Sequence, residues 1–418
     1  MMAMQQKKLK FTHPYGIFII FFIVSFYFSL IGNYVLYFTG VKRGFVDFRM
    51  ALGLWFVGFA VAILTFFCGK VLTLSRHVKR SDKEINSIIN PKKFSFTADI
   101  IIIIGVLATF AVFAQIGFIP VFVATKGYLI DAERFSVMEA GWLNRFVYLL
   151  SMGLVMKIFE IQYFKRRSFK NIMLIIVAII SLVLYGSKYL ILMPTVVAIL
   201  NQHFFVRKIQ FSKALSFRNI VIFLIIFYAS IFFTNYRGLG RLVSNDLISD
   251  VFIVYFPEST GMAAIVNEAK VSSIRGNPFK SIFYSAVPNE VFRIFGVNKH
   301  KLKRDVIAYK EIMGARFLGG SARIGLIGEA YVVYGVAGVV GSMLVLSILI
   351  LFIHYYIMRS IKFSFASLLC VILLFQLCWL LVSEVSNNMP LTFLYLYAGV
   401  IIHFITKQRF VRNENINA

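Results

Sequence analysis

Apolar residues in this chain gather into long unbroken runs instead of alternating with polar ones. Ten such runs approach the roughly 20 residues that a helix needs to cross the hydrocarbon core of a bilayer. They cover 16–39, 51–75, 98–118, 142–163, 171–186, 189–206, 219–235, 330–357, 364–383 and 389–406. The fifth and sixth form one apolar stretch broken by "YGSKY" at 185–189, where a glycine beside a lysine predicts a tight turn at a membrane face. The pattern predicts an all-α polytopic membrane protein of about ten transmembrane helices, in three parts. Residues 1–235 carry helices 1–7, residues 236–329 form one large loop with short helices, and residues 330–418 carry helices 8–10.

Composition excludes an ordinary soluble domain. The 418 residues are 59% hydrophobic and 15% charged, with a mean hydropathy of +0.81, whereas soluble domains are about a quarter charged. The net charge of +26 would suggest nucleic acid in a soluble protein. Here the basic residues sort by loop. With the N-terminus inside, the inner segments hold 22 Lys/Arg and the short outer loops hold 6. That bias predicts both termini in the cytoplasm and no nucleic-acid partner. The first apolar run is too long for a cleaved leader and reads as a retained signal anchor. Cys68, Cys370 and Cys378 all fall in apolar runs and read as buried small hydrophobes.

The segment 236–329 is far longer than an ordinary connection and holds 13 Lys/Arg. Its stretches "DLISDVFIVYF" and "NPFKSIFYSAVPNEVFRIFG" mix aromatics with charge, as interfacial helices do. Pro257, Pro278 and Pro288 divide them. Polar residues at the expected outer ends of the spans form a cationic face. Arg134 lies in "GYLIDAERFSVMEAGW", Lys188 at the turn between the fifth and sixth spans, Arg237 and Arg241 in "NYRGLGR", and Arg316 and Arg323 before the eighth span. A guanidinium fork can bond two phosphate oxygens at once, so this face suits the anionic head of a lipid pyrophosphate whose tail stays in hydrocarbon. The arginines could instead pair with Asp131, Glu133, Asp246 and Asp250.

Glu329, at the entrance of the eighth span, is the candidate for chemistry, because an ionisable residue at the edge of a span marks function by default. The helix dipole there favours its charged form, and burial opposes it. Two roles are open: general base toward a sugar hydroxyl, or a clamp on Arg323 or Arg316. A clamp on Arg323 within one helix requires that helix to start after Gly328, because six residues place the two on nearly opposite faces. Gly325, Gly328, Gly335, Gly338 and Gly341 suit close helix packing. Tyr331, Tyr334 and Trp142 read as interfacial belt residues that could also stack on sugar rings. The histidines and the basic strip Lys299–Arg304 carry no specific chemistry; of the histidines only His300 faces outward. No catalytic-triad spacing, phosphate-binding glycine loop or metal motif is present, which argues against ATP-driven transport by this chain; no cofactor or metal site is read from the residues.

The stretches "GFIPVFVATKGYLIDAERF", "YGSKYLILMP" and "GGSARIGLIGEAYVVYGVAG", with the long outer loop between the last two, resemble the O-antigen polymerase (Wzy) family of repeat-unit polymerases. The resemblance implies a GT-C-like glycosyltransferase of the bacterial inner membrane. It implies joining of undecaprenyl-pyrophosphate-linked oligosaccharides at the periplasmic face, with a chain-length regulator and a flippase as partners. By position it gives Arg134, Arg323 and Glu329 the family's charged roles. Lys188 stands where many members carry arginine. A ligase acting on the same lipid carrier would share the cationic face and need a histidine base, for which His300 is available. A flippase or transporter would place charge deep in many spans, which these runs do not.

Overall fold

A computed structural model describes residues 13–38, 49–75, 89–120, 143–186, 188–206, 292, 294–296, 325–359, 364–383 and 385–407. Among them the chain forms nine α-helices and no β-strand: α1 (Pro14–Phe38), α2 (Arg49–Ser75), α3 (Pro91–Ile116), α4 (Leu143–Tyr163), α5 (Phe169–Tyr185), α6 (Lys188–Asn201), α7 (Gly325–Arg359), α8 (Phe365–Trp379) and α9 (Val385–Thr406). Six are long and apolar enough to cross a membrane, and three further apolar stretches are shorter. The chain is an all-helical, multi-pass membrane protein. Its outward faces agree. Phe96, Ile103, Leu107 and Phe110 of α3 and Ile172, Ile176 and Ile180 of α5 are exposed, a surface that water would not tolerate and lipid does. The expected seventh span, 219–235, lies outside the described residues.

The helix ends follow local chemistry. Asn90 caps α3 by accepting from the amides of Lys92 and Lys93, with Pro91 at the first position. This cap starts the helix seven residues before the apolar run at 98. Ser168 and Ser364 cap α5 and α8 in the same way. The break expected at 185–189 is a turn in which α5 ends at Tyr185 and Gly186, at φ 72°, caps it. Lys188 then opens α6, which runs into a π-helical turn at Gln202–Val206. Near the opposite end of the bundle, the Asn90 amide donates to the Thr406 carbonyl (3.0 Å) and ties the start of α3 to the end of α9.

The helix expected at 330–357 differs most. It begins at Gly325 and is not straight. Gly335 stands at φ 64°, ψ −154°, which only glycine adopts without strain. Two arms result, a leading arm at 325–334 and a trailing arm at 336–359. They lie side by side. A Cβ on Gly58 of α2 would sit 3.1 Å from Ile327 Cδ1 and 3.3 Å from Met343 Cγ. In one straight helix Ile327 and Met343 would be about 24 Å apart. Close to the turn, a Cβ on Gly338 would strike the Ala330 carbonyl oxygen. The expectation of close helix packing at the glycines holds at Gly325, against Leu381, and at Gly338, where the two arms touch, but not at Gly341, which has nothing within 4 Å of a Cβ, while Gly335 makes the turn.

Candidate functional site

The trailing arm alone is about 36 Å long and can cross a bilayer. The ten-residue leading arm reaches about 15 Å back along it. It folds back along the trailing arm as a half-helix enclosed by protein, the setting in which such a break in a span is tolerated. Residues 325–332 are buried throughout. The arm's first turn meets the end of α8, a helix of 15 residues and so only about 22 Å long. The Leu326 amide donates to the Leu380 carbonyl at 2.9 Å, and a Cβ on Gly325 would collide with the Leu381 carbonyl. The positive end of one helix thus abuts the negative end of another, inside the bundle.

Glu329 sits on this arm and is wholly buried, at 0% exposure. It stands near the start of the helix that begins at Gly325, six residues, about 9 Å, from the Gly335 turn. It shares a face with Gly325, one turn away, and Gly325 meets Leu381 and Val382. The helix starts at Gly325, before Gly328, so the condition for a clamp between Arg323 and Glu329 within one helix is not met. Tyr331 is buried in the main core at 8% exposure, not held in an interfacial belt, whereas Tyr334 is exposed. Arg134, Arg237, Arg241, Arg316 and Arg323 lie outside the described residues, as do Trp142 and His300. Lys188 is the first residue of α6. Cys378 is buried as expected, but Cys68 faces outward.

Two polar assemblies inside the bundle are not evident from the runs. The first joins α3, α4 and α5. Lys157, fully buried, places Nζ 2.5 Å from Asp99 Oδ1 and donates to Glu160 Oε2 (2.7 Å), Ser95 Oγ (3.1 Å) and Asn171 Oδ1 (3.1 Å). Lys170, largely exposed, donates to Asp99 Oδ2 at 2.7 Å. Two cations and two carboxylates balance, so this is a neutral staple that fixes α4. Removing one member of such a buried set costs about 3–5 kcal/mol because its partners stay buried and uncompensated. Lys157→Met is therefore expected to lower the thermal midpoint of the detergent-purified protein sharply. Lys170→Ala, at the solvated rim, is expected to change it little. The sequence signal was available: Lys157 and Glu160 are three apart in an apolar run, and Asp99 interrupts another.

The second assembly is a seam of hydroxyls and carboxamides between α4, α5, α6, α8 and α9. Tyr185 Oη donates to Asn144 Oδ1 (3.0 Å). Tyr395 Oη lies 2.7 Å from Ser151 Oγ and 3.2 Å from the Tyr148 carbonyl. Gln376 Nε2 donates to Tyr189 Oη. Among the described residues no group of three or more His, Cys, Asp or Glu side chains could hold a metal ion. No family model, curated protein or solved structure matches the chain.

Proposed function

We propose that this protein polymerises lipid-pyrophosphate-linked oligosaccharide repeat units into O-antigen or capsular polysaccharide, acting as a GT-C-like glycosyltransferase of the bacterial inner membrane. The observation that carries the reading is the position of Glu329: a fully buried carboxylate on a helix arm that folds back. It lies just beyond a segment with 13 basic residues. A carboxylate withdrawn from water, next in the chain to a cation-rich segment, suits one reaction well. The acceptor hydroxyl oxygen bonds to C1 of the donor's reducing-end sugar, and the bond from C1 to the pyrophosphate oxygen breaks. The hydroxyl proton passes to Glu329, and undecaprenyl pyrophosphate leaves with the bonding electrons. Arg323, with Arg134, Lys188, Arg237, Arg241 and Arg316, holds the pyrophosphate and stabilises its charge as it departs. The activated donor supplies the energy. The resemblance of three stretches to the repeat-unit polymerases supports the same reading.

The test is a gel of surface glycan from cells lacking the gene. Glycan capped with a single repeat unit, restored to a ladder by the wild-type gene, is the expected result. Long chains retained on the lipid carrier would instead make the protein a ligase, and absence of outward-facing glycan would make it a flippase.

A further inference from the structure

The hairpin between α8 and α9 carries buried polar atoms that have no partner among the described residues. Gln376 stands one turn before the end of α8, Ser383 in the connecting turn, and Asn388 in the first turn of α9. Their exposures are 0%, 8% and 5%. Gln376 Oε1, Ser383 Oγ and Asn388 Nδ2 have no hydrogen-bond partner among the described residues. Burying such a group unpaired costs about 1–3 kcal/mol, so three within a dozen residues call for an explanation.

Gln376 and Asn388 border one polar seam, and Ser383 lies between them in the chain. Asn388, Thr392 and Tyr395, spaced four and three apart, share one side of α9, and all three are buried. The Tyr395 hydroxyl interacts with that of Tyr189, which bonds Gln376. Aromatic faces flank the same place: Trp379 stacks on Phe375 at 5.8 Å, and Tyr189 tilts against Trp379 at 5.8 Å. The hairpin turn is also where the Glu329 arm docks, through Leu326 and Leu380. An acceptor oxygen, a donor nitrogen and a hydroxyl fit a ligand that both gives and takes hydrogen bonds. None of the three carries charge. Carboxamides beside an indole and a phenol are the chemistry that holds a neutral sugar, with hydroxyls bonded at their edges and a ring face on an aromatic.

We propose that the α8–α9 hairpin seats the sugar of the acceptor oligosaccharide, with Gln376, Ser383 and Asn388 bonding its hydroxyls and Trp379 beside its ring. This assignment rests on the polymerase reading and gives the acceptor a place separate from the cationic residues that take the donor. The groups are binding residues, and Glu329 on the adjoining arm receives the proton.

The experiment uses the detergent-purified full-length protein. The probe is the oligosaccharide that mild acid releases from the host's lipid-linked repeat units, tagged at its reducing end. Wild type is expected to bind it saturably. Asn388→Leu and Gln376→Leu are each expected to weaken binding about tenfold, the loss of roughly one hydrogen bond. The thermal midpoint of Asn388→Leu should hold or rise, because a buried amide nitrogen without a partner is replaced by an apolar group of similar size, whereas Gln376→Leu also removes the bond to Tyr189 and should lower it. Ser383→Ala, the mildest change, should weaken binding in the same direction. In cells lacking the gene, the Leu variants should make shorter chains than wild type. Unchanged probe binding with a lowered thermal midpoint would mean that these atoms hold only structural water, and would overturn the proposal. So would normal chain length from all three variants in a strain whose deletion leaves single-unit glycan. A deletion that leaves chain length untouched would instead remove the polymerase reading itself.

Discussion

Replacing Glu329 by glutamine is expected to lower glycan chain extension by about two to three orders of magnitude, the usual contribution of a positioned general base. The substitution keeps the shape of the side chain and its hydrogen-bonding capacity, so packing of the leading arm should survive. What it removes is the site that takes the proton. The carboxylate is wholly buried, so water cannot readily substitute as base. The role separates from a structural clamp by a second reading on the same sample. For a base, turnover collapses while the thermal midpoint stays within a few degrees of wild type. For a clamp, the midpoint falls with activity, since a broken buried ion pair costs about 3–5 kcal/mol. Arg323→Ala should lose a comparable factor, about 10²–10³, through weaker stabilisation of the departing pyrophosphate.

Opening the hairpin of α7 should be as damaging, and by a different route. Gly335 stands at φ 64°, ψ −154°, and any other residue there adds roughly 1–3 kcal/mol of backbone strain. Relief comes from straightening the helix, which would carry Glu329 away from the α8 end. At Gly338 an added methyl meets the Ala330 carbonyl, a backbone atom that can yield only if the arms part. Gly335→Ala and Gly338→Ala are each expected to lower the thermal midpoint and to remove polymerisation. Gly341→Ala meets nothing within 4 Å and should leave both intact, or gain slightly from helix propensity. Equal behaviour of the three variants in a side-by-side thermal and glycan assay would mean that the turn does not hold the site together.

Much of the scaffold was legible in the chain, because bilayer-length apolar runs leave few alternatives to helix. The turn between α5 and α6 was readable too, from a glycine next to a lysine. The folded-back arm was not. Residues 325–334 share the apolar character of residues 336–359, and periodicity carries no mark of a positive φ. A glycine in such a run reads as a packing position, so "GVAGVVG" pointed to a neighbouring helix when Gly338 in fact packs against its own leading arm. Ser383 and Asn388 sit at the edges of runs and resemble loop chemistry. Only the fold shows them to be buried, as it does Gln376, whose lone carboxamide in "LLFQLCW" was the one sequence clue. The staple of Asp99, Lys157, Glu160 and Lys170 was legible only in part: the Lys157–Glu160 spacing shows in the chain, but its members come from three helices, and the pairing across them does not.

The most direct measurement reconstitutes the purified protein in liposomes with its undecaprenyl-pyrophosphate-linked repeat unit and monitors both products. The account predicts lipid-linked oligosaccharides of two, three and more units, with one undecaprenyl pyrophosphate released per bond formed, and neither product with Glu329→Gln. Liposomes in which wild type releases no undecaprenyl pyrophosphate and the lipid-linked glycan stays one unit long would contradict it.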